Sequence, residues 1–229
     1  MTGAEMDDLL MQLLGDPSSR RWDQTNHRLP ALNSAYRQLV TKILGMTRNN
    51  NSMFDVLQGL QTSQTVGVGA SGYTLSNLDN EMFTELGFMR ATVTLDGEDQ
   101  RCVRYTPDQE GFQQNRYLKG NDEYPVIRFE GGKMYITVDL GSYPVDVTLH
   151  YIKSPTDIQD SEDEPDVDDA LHDTIVLMAE AECRRMGDDF AQAAEVQRQV
   201  NENIQLLANG SINSIKTKTL GQYSRERRE

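Results

Sequence analysis

The fold is decided by residues 166–209, which read DVDDALHDTIVLMAEAECRRMGDDFAQAAEVQRQVNENIQLLAN. Pro165 precedes this stretch, and the aspartates of its first turn can accept hydrogen bonds from the unpaired N–H groups that begin a helix. Apolar residues then recur at three- and four-residue steps or multiples of them, namely Leu171, Ile175, Met178, Met186, Phe190, Ala193, Val200, Ile204 and Leu207. The pattern predicts helix with one face built to be buried as structural core.

Polar residues fall largely between these apolar positions, namely Glu180, Glu182, Arg184, Arg185, Gln197 and Glu202. Gly187 followed by Asp188 and Asp189 predicts the end of one helix and the N-cap of another. We therefore expect two consecutive helices, at residues 168–186 and 189–208.

Two more helices are predicted before this stretch. Residues 6–14 form a short amphipathic helix with its leucines on one side. The only tryptophan, Trp22, directly precedes Asp23, a candidate N-cap, so its ring can staple the start of the next helix. Apolar residues recur at helical spacing over residues 29–43, where Pro30 either opens the helix at its first turn or kinks it.

From residue 88 onward the apolar period changes from helical to alternating. We expect short antiparallel strands at residues 88–95, 101–106, 114–118, 126–129, 134–138 and 145–152, because these segments are rich in β-branched and aromatic residues. The sequence Glu130-Gly131-Gly132-Lys133 predicts a tight hairpin turn, since glycines adopt the positive φ that such turns need. Alternation in the last strand places His150 on its polar face.

Together these patterns predict an α+β fold, a helical bundle of N-terminal and long C-terminal helices with an inserted antiparallel β-sheet or small barrel. We place N-terminal helices and a long loop at residues 1–86 and the β region at residues 87–155. An acidic loop and the C-terminal helices, which pack on the N-terminal ones, follow at residues 156–210. A basic tail occupies residues 211–229.

Two segments contain motif-like residues without the context of a binding site. Gly67, Gly69 and Gly72 fit a bare GxGxxG, but no convincing strand precedes them and no βαβ unit follows, so residues 62–72 are interpreted as a flexible loop. Residues 157–169 contain eight carboxylates but lack the glycine and glutamate positions of an EF-hand loop. We interpret them as a solvated acidic loop, and we expect neither a metal site nor a cofactor.

The sequence offers no active site. The three histidines, His27, His150 and His172, belong to no HExxH, CxxC or GxSxG arrangement, and His172 is interpreted as a polar surface group. Cys102 and Cys183 are interpreted as buried thiols. His172 lies about 16 Å from Cys183 along a helix axis, which is too far to share a proton. We therefore expect no catalytic residue and no enzymatic activity.

The formal net charge of −14 argues against nucleic-acid binding by the body of the protein. No apolar run approaches the roughly 20 residues that span a bilayer, and we expect a soluble chain made in the cytoplasm. The charge is uneven, however. Residues 211–229 carry five basic residues against two acidic ones, a net of +3, so that −14 − 3 leaves −17 on the rest of the chain.

Several short motifs occur in order along the chain. They are Leu13-Leu14-Gly15-Asp16, Arg21-Trp22, Leu29 with Leu32-Asn33-Ser34-Ala35-Tyr36, Gly72-Tyr73-Thr74-Leu75, residues 147–155 (VTLHYIKSP), residues 171–179 and Gly187-Asp188. Over most of residues 9–208 this order resembles the head-to-tail adaptor (connector) proteins of tailed bacteriophages.

The resemblance implies a structural virion protein at the head–tail junction. Such a protein forms a ring with other copies of itself, usually twelve, between the portal protein and a tail protein, and DNA passes through the channel without specific binding. A C-terminal extension commonly contacts the portal in this family. The resemblance therefore implies portal contacts by Lys216, Lys218, Tyr223, Arg225, Arg227 and Arg228.

Two alternatives remain open from the sequence. One is a different ring of the same assembly, a tail-completion or tail-terminator protein. The other is a small hydrolase that uses clustered carboxylates, which would require a pocket with perturbed acids.

Overall fold

The computed structural model describes residues 1–47, 51–95, 97–105, 120–138, 143–159 and 161–208. These residues form an α+β fold with helices at both ends, as predicted. The chain divides into two compact units. One, called here the helical unit, comprises Met1–Gly59 and Pro155–Glu229, and the other, the β unit, comprises Leu60–Ser154.

The main helices of the helical unit are α1 (Gly3–Leu14), α2 (Leu29–Thr47), α3 (His172–Met186) and α4 (Phe190–Ala208). A π-helical turn (Gln24–Arg28) runs directly into α2, and 3₁₀ turns occur at Asn51–Leu60 and Asp169–Leu171. A capping box between Thr2 and Glu5 begins α1. As predicted, Asp23 is an N-cap, here of the π-helical turn, and Pro30 lies in the first turn of α2, directly after that π-helical turn.

Helix α3 is the centre of the helical unit, because α1, α2 and α4 all pack against it. It is consequently buried on nearly every side, and the prediction of a single buried face was wrong for this helix. Three polar side chains, those of His172, Thr174 and Glu180, are buried together with the apolar ones.

The predicted break at Gly187 is confirmed, since α3 ends at Met186 and α4 begins at Phe190. The backbone of Asp189 accepts the first helical hydrogen bond of α4 from Ala193. The assignment of Met186 and Phe190 to the buried face was wrong, because their exposed fractions are 52% and 63%. The break resets the helical phase, so apolar positions on its two sides do not continue one stripe.

The described residues of the β unit form eight strands, β1 (Gln61–Val68), β2 (Tyr73–Thr74), β3 (Phe88–Leu95), β4 (Glu98–Arg101), β5 (Val103–Arg104), β6 (Val126–Glu130), β7 (Lys133–Thr137) and β8 (Val145–Ile152). They form two four-stranded sheets, ordered β1-β8-β3-β4 and β2-β7-β6-β5. The apolar faces of both sheets contribute to one core, in which Ala91, Val147 and Ile127 are fully buried. The inserted β region that we expected thus consists of two sheets with a shared core.

The interpretation of residues 62–72 as a flexible loop was wrong, because most of them form β1. This strand pairs with β8 over its whole length, from Gln61 opposite Ile152 to Val68 opposite Val145. Its polar residues pair with partners across the sheet, and the hydroxyls of Thr65 and Thr148 lie 2.8 Å apart. The β unit therefore begins at Leu60, upstream of residue 87, where we placed the start of the β region.

The hairpin prediction is confirmed. Glu130 pairs with Lys133, and Gly131 and Gly132 have φ angles of 57° and 73°. His150 is half-buried on the polar side of β8, as predicted. The expectation of antiparallel strands throughout was wrong, because β5 pairs with β6 in parallel. The strand predicted at residues 114–118 lies outside the described residues.

Candidate interaction surfaces

The residues that join α1 to the π-helical turn form a tightly bonded loop. Gly15 ends α1 in the left-handed conformation, with φ of 67°, which glycine adopts without strain. The Asp16 carboxylate then accepts hydrogen bonds from the backbone N–H groups of Arg20, Arg21 and Trp22, at 3.1, 2.8 and 2.8 Å. These bonds, that of Trp22 above all, lower the pKa of Asp16.

The Arg21-Trp22 pair connects this loop to the break between α3 and α4. The Arg21 guanidinium lies 5.1 Å from the centre of the Trp22 ring and donates a hydrogen bond to the Gly187 carbonyl. A Cβ atom at Gly187 would lie 2.7 Å from two carbons of the Trp22 ring. Only glycine therefore allows the ring to approach so closely, and the break is anchored rather than free to act as a hinge.

Arg184, near the end of α3, bonds to three parts of the same region. Its guanidinium donates to Glu180 and to the Leu13 carbonyl, each at 2.8 Å, and lies 3.3 Å from the Asp189 carboxylate. A cleft of about 200 Å³ lies at this junction, lined by Leu14, Gly15, Asp16, Arg21, Trp22, Arg184 and Asp189. Three of the motifs that carry the resemblance therefore meet at one place in the fold.

A fourth motif, Leu32-Asn33-Ser34-Ala35-Tyr36 in α2, holds the segment that follows the β unit. The Asn33 side chain bonds the backbone of Ile158 in both directions, donating to its carbonyl at 3.1 Å and accepting from its N–H at 2.8 Å. Arg37, one turn further along α2, pairs with Asp157 at 2.9 and 3.0 Å. These contacts hold the beginning of residues 157–169, called here the acidic segment, against α2.

The acidic segment is more than a solvated loop. The Asp163 carboxylate accepts the N–H of Gln159 at 2.8 Å, and the Asp168 carboxylate accepts the N–H of Ala170 at 2.9 Å. The carbonyls of Asp163 and Ser161 accept the first N–H groups of α1. Among the described residues, no group of three or more His, Cys, Asp or Glu side chains is arranged to hold a metal ion.

The histidine and cysteine side chains are not brought together as a reactive group in the described structure. The interpretation of His172 as a surface group was wrong, because its ring is 1% exposed and its Nδ1 lies 2.7 Å from the Met1 nitrogen. Burial and the charge of that ammonium group lower the pKa of His172. Cys102 and Cys183 are buried thiols, as predicted, and burial raises the pKa of both to about 12.

Two further clefts of about 380 Å³ each lie in the helical unit. One runs along α2 beside the Arg37–Asp157 pair, lined by Pro30, Asn33, Ser34, Arg37, Gln38, Thr41 and Asp157. The other, called here the acidic cleft, is lined by Asp55, Val56, Gln58, Gly59, Pro165, Asp166, Val167 and Asp168. Burial raises the pKa of Asp173, but this residue lines none of the three clefts.

The sequence analysis missed the exposure of Met186 and Phe190, the most exposed large apolar side chains among the described residues of the helical unit. The predicted break at Gly187 was itself a signal of this exposure, since residues before and after a break need not lie on the same face of the helices. The six predicted portal-contact residues, Lys216, Lys218, Tyr223, Arg225, Arg227 and Arg228, lie outside the described residues.

Within the described parts of the chain, no helix is both long and apolar enough to cross a membrane. No curated protein matches the sequence. A sequence model of the family described as SU10 adaptor protein matches residues 1–227. This match includes the helical unit, the β unit and nearly all of the basic tail, and the chain therefore belongs to the SU10 adaptor protein family, whose members are structural adaptor proteins of phages.

Proposed function

We propose that this phage adaptor protein forms a ring at the head–tail junction, between the portal protein and the tail, through which DNA passes. The observation that carries the proposal is the family match over residues 1–227. The clefts of the helical unit are lined by both polar and apolar residues, which suits contacts with other proteins. We propose a ring of twelve copies, the number that the resemblance implies.

The charge of the chain supports a DNA conduit. The chain without residues 211–229 carries −17, since −14 − 3 = −17. An acidic wall repels DNA phosphates, so DNA slides through a channel without the adhesion that a basic wall would cause. We therefore expect this chain to bind other proteins of the junction and to make no sequence-specific contact with the DNA.

The basic tail is the segment that we propose to contact the portal. Its net charge of +3 is opposite in sign to that of the body, so an acidic groove on the portal would attract it. The proposed contacts are Lys216, Lys218, Tyr223, Arg225, Arg227 and Arg228.

The proposal is tested by mixing the purified chain with its cognate portal protein and imaging the product by electron microscopy. We expect a ring-shaped density stacked on the portal. A chain that ends at residue 210 should bind the portal at least tenfold more weakly, and so should a full-length chain with glutamine at the five basic tail positions. Unchanged binding of both variants would contradict the role of the tail, and failure of the full chain to bind would contradict the placement at the portal.

The alternative of a tail-completion or tail-terminator ring predicts binding to tail tubes and none to the portal, so the same preparation decides between the two. No specific observation favours the hydrolase. Among the described carboxylates of the acidic segment, Asp157 pairs with Arg37, and Asp163 and Asp168 accept backbone N–H groups.

A further inference from the structure

Strand β1 lies at the edge of its sheet without the features that usually protect such a strand. It pairs with β8 on one side, over eight residues in unbroken register, and among the described residues no strand pairs with its other side. Edge strands offer unpaired backbone groups to other chains, and proteins commonly protect them with charged residues, prolines, bulges or short length. The sequence of β1, QTSQTVGV, contains no charge and no proline. An edge of this kind is suited to pairing with a strand of another chain.

The hydrogen bonds of the sheet show which backbone groups of β1 point outward. In antiparallel strands, pairs that exchange both backbone hydrogen bonds alternate with pairs whose N–H and C=O groups point away from each other. The N–H of Lys153 donates to the Leu60 carbonyl at 2.9 Å, so these two residues form a pair of the bonded kind. The alternation then directs the backbone groups of Ser63, Thr65 and Gly67, called here the β1 edge, away from β8. All three residues are exposed, and no described residue bonds to these backbone groups.

Strand β4, at the opposite side of the same sheet, also has outward backbone groups. The N–H of Cys102, directly after β4, donates to the Ala91 carbonyl of β3 at 2.9 Å, which makes these two residues a bonded pair. The same alternation directs the backbone groups of Asp99 and Arg101, called here the β4 edge, away from β3. Both residues are exposed, and none of the described residues bonds to these groups. The sheet therefore ends in two different edges with backbone groups available for pairing.

The strand directions allow the β1 edge of one copy to pair with the β4 edge of another. Neighbouring strands in the order β1-β8-β3-β4 are all antiparallel, so β1 and β4 run in opposite directions. When two copies lie side by side in the same orientation, β1 of one is therefore antiparallel to β4 of the next. This contact joins two different surfaces, and such head-to-tail contacts close into rings when the rotation allows. Pairing between two β1 strands would instead close a two-fold dimer.

The side chains of the two edges do not oppose this pairing. Residues opposite each other in a sheet share a face, and Thr65, Thr148, Thr92 and Arg101 lie opposite one another in turn across the four strands. The side chains of both edges therefore lie on the same polar face. Because β1 has no charged residue, it presents no like charge to Asp99 or Arg101.

We propose that the β1 edge of one copy pairs with the β4 edge of a second copy of this chain, so that the sheet β1-β8-β3-β4 continues from copy to copy. The inference rests on the proposed function in that it names the surfaces by which the ring would form. The contact consists chiefly of backbone hydrogen bonds, made by Asp99 and Arg101 with outward residues of β1.

The test uses two variants of the full chain, each with one blocked edge. Thr65→Pro removes an outward N–H of β1, and Arg101→Pro removes one of β4, and the sheet tolerates proline where the N–H points out of it. Thr74→Pro is the matched control, because Thr74 lies in β2, an edge strand of the other sheet, and has a φ of −78°. The bond from the Leu75 N–H to the Gly132 carbonyl directs the Thr74 N–H outward as well. Thr65→Val is a second control, since it keeps the N–H.

Association is followed by sedimentation velocity and by native mass spectrometry. We expect the wild type and both controls to self-associate as concentration rises, and each blocked variant to associate at least about tenfold more weakly, because proline removes a donor and its ring hinders the approach of a strand. A mixture of the two blocked variants should form 1:1 pairs that grow no further, since each supplies the intact edge that the other lacks. Such pairs also show that both variants are folded.

Hydrogen exchange of the wild-type chain gives a readout that is specific for strand pairing and independent of the variants. In the monomer, the outward amides of Ser63, Thr65 and Gly67 should exchange fast, and the amides of Gln64 and Val66, which face β8, should exchange slowly. Assembly should slow the exchange of the outward amides. A contact made by side chains alone would not protect alternate amides of β1 in this way.

Several results would overturn the inference. They are a wild-type chain that stays monomeric at millimolar concentration, self-association of either blocked variant equal to that of the wild type, a mixture that forms no pairs, and outward amides that stay unprotected in the assembled chain. Dimers formed by Arg101→Pro but not by Thr65→Pro would assign the contact to two β1 strands. Loss of portal binding alone in Thr65→Pro would likewise assign the β1 edge to the portal. The proposed function fails separately, if the wild type assembles through these edges and still does not bind the portal.

Discussion

The buried ion pair between Asp7 of α1 and Arg28 of the π-helical turn gives the sharpest stability prediction. Its two hydrogen bonds measure 2.7 and 2.8 Å, and the side chains are 7% and 4% exposed. Removing one member of a buried pair leaves an uncompensated charge and typically costs about 3–5 kcal/mol. We therefore expect Asp7→Ala to lower the free energy of unfolding of the helical unit by about that amount.

The matched control is the exposed pair between Arg37 and Asp157, which has similar bond lengths, 2.9 and 3.0 Å, but exposed fractions of 55% and 40%. Solvent screens such a pair, and its loss typically costs at most about 1 kcal/mol. Asp157→Ala should therefore change the free energy of unfolding much less than Asp7→Ala.

Urea unfolding followed by tryptophan fluorescence measures both variants. The only tryptophan, Trp22, lies in the helical unit and its carbonyl accepts a hydrogen bond from Arg28, so its emission reports on the relevant region. A double variant, Asp7→Leu with Arg28→Met, should be more stable than Asp7→Ala because it leaves no buried charge. Equal losses of stability in Asp7→Ala and Asp157→Ala would contradict the prediction that burial makes the Asp7–Arg28 pair the more costly one to break.

Three further predictions concern packing and protonation. Gly187→Ala should cost about 1–3 kcal/mol through overpacking against the tryptophan ring, whereas Gly45→Ala, where a Cβ meets nothing within 4 Å in α2, should stabilise by about 0.5–1 kcal/mol in the same urea assay. Cys102 and Cys183, with pKa values raised to about 12, should not react with a thiol reagent at pH 8 until the chain is unfolded, and native reaction would contradict their burial. The pKa of His172 is lowered in the folded state from its ordinary 6.5. The neutral ring therefore stabilises the fold above pH 6.5, and this contribution is lost as the pH falls through the folded pKa. In urea unfolding, the His172→Gln variant should lose less stability than the wild type between about pH 7.5 and about pH 5.

Local patterns in the sequence predicted the elements with strong local signals. Apolar spacing gave the helices, and the glycines of Glu130-Gly131-Gly132-Lys133 gave the hairpin, because periodicity and positive φ act within a few residues. Strand β1 was missed since its residues Gln61, Thr62 and Thr65 are polar. Their positions are favourable only because β8, more than 80 residues later, pairs with them.

Polar side chains in the core could not be predicted for a related reason. Glu180 reads as a surface residue until Arg184 is seen to join it to the end of α1. The meeting of residues 13–16, Arg21-Trp22 and Gly187 likewise depends on how α1 packs against α3. The resemblance indicated that these motifs belong together, but only the structure shows their contacts.

The parallel pairing of β5 with β6 could not be predicted from the sequence either. The β-branched Val103 favours a strand at this position, but that preference is the same for parallel and antiparallel partners. The exposure of Phe190 was missed because helical spacing was continued across the break, where the phase changes.

The measurement that tests the central claim most directly is a cryo-electron microscopy reconstruction of the head–tail junction in the cognate virion. We expect a ring of this chain directly beneath the portal, with the helical and β units recognisable in each copy and the DNA channel passing through the ring. A junction in which the portal contacts the tail with no ring of this chain between them, or a ring of this chain found only at another level of the tail, would contradict it.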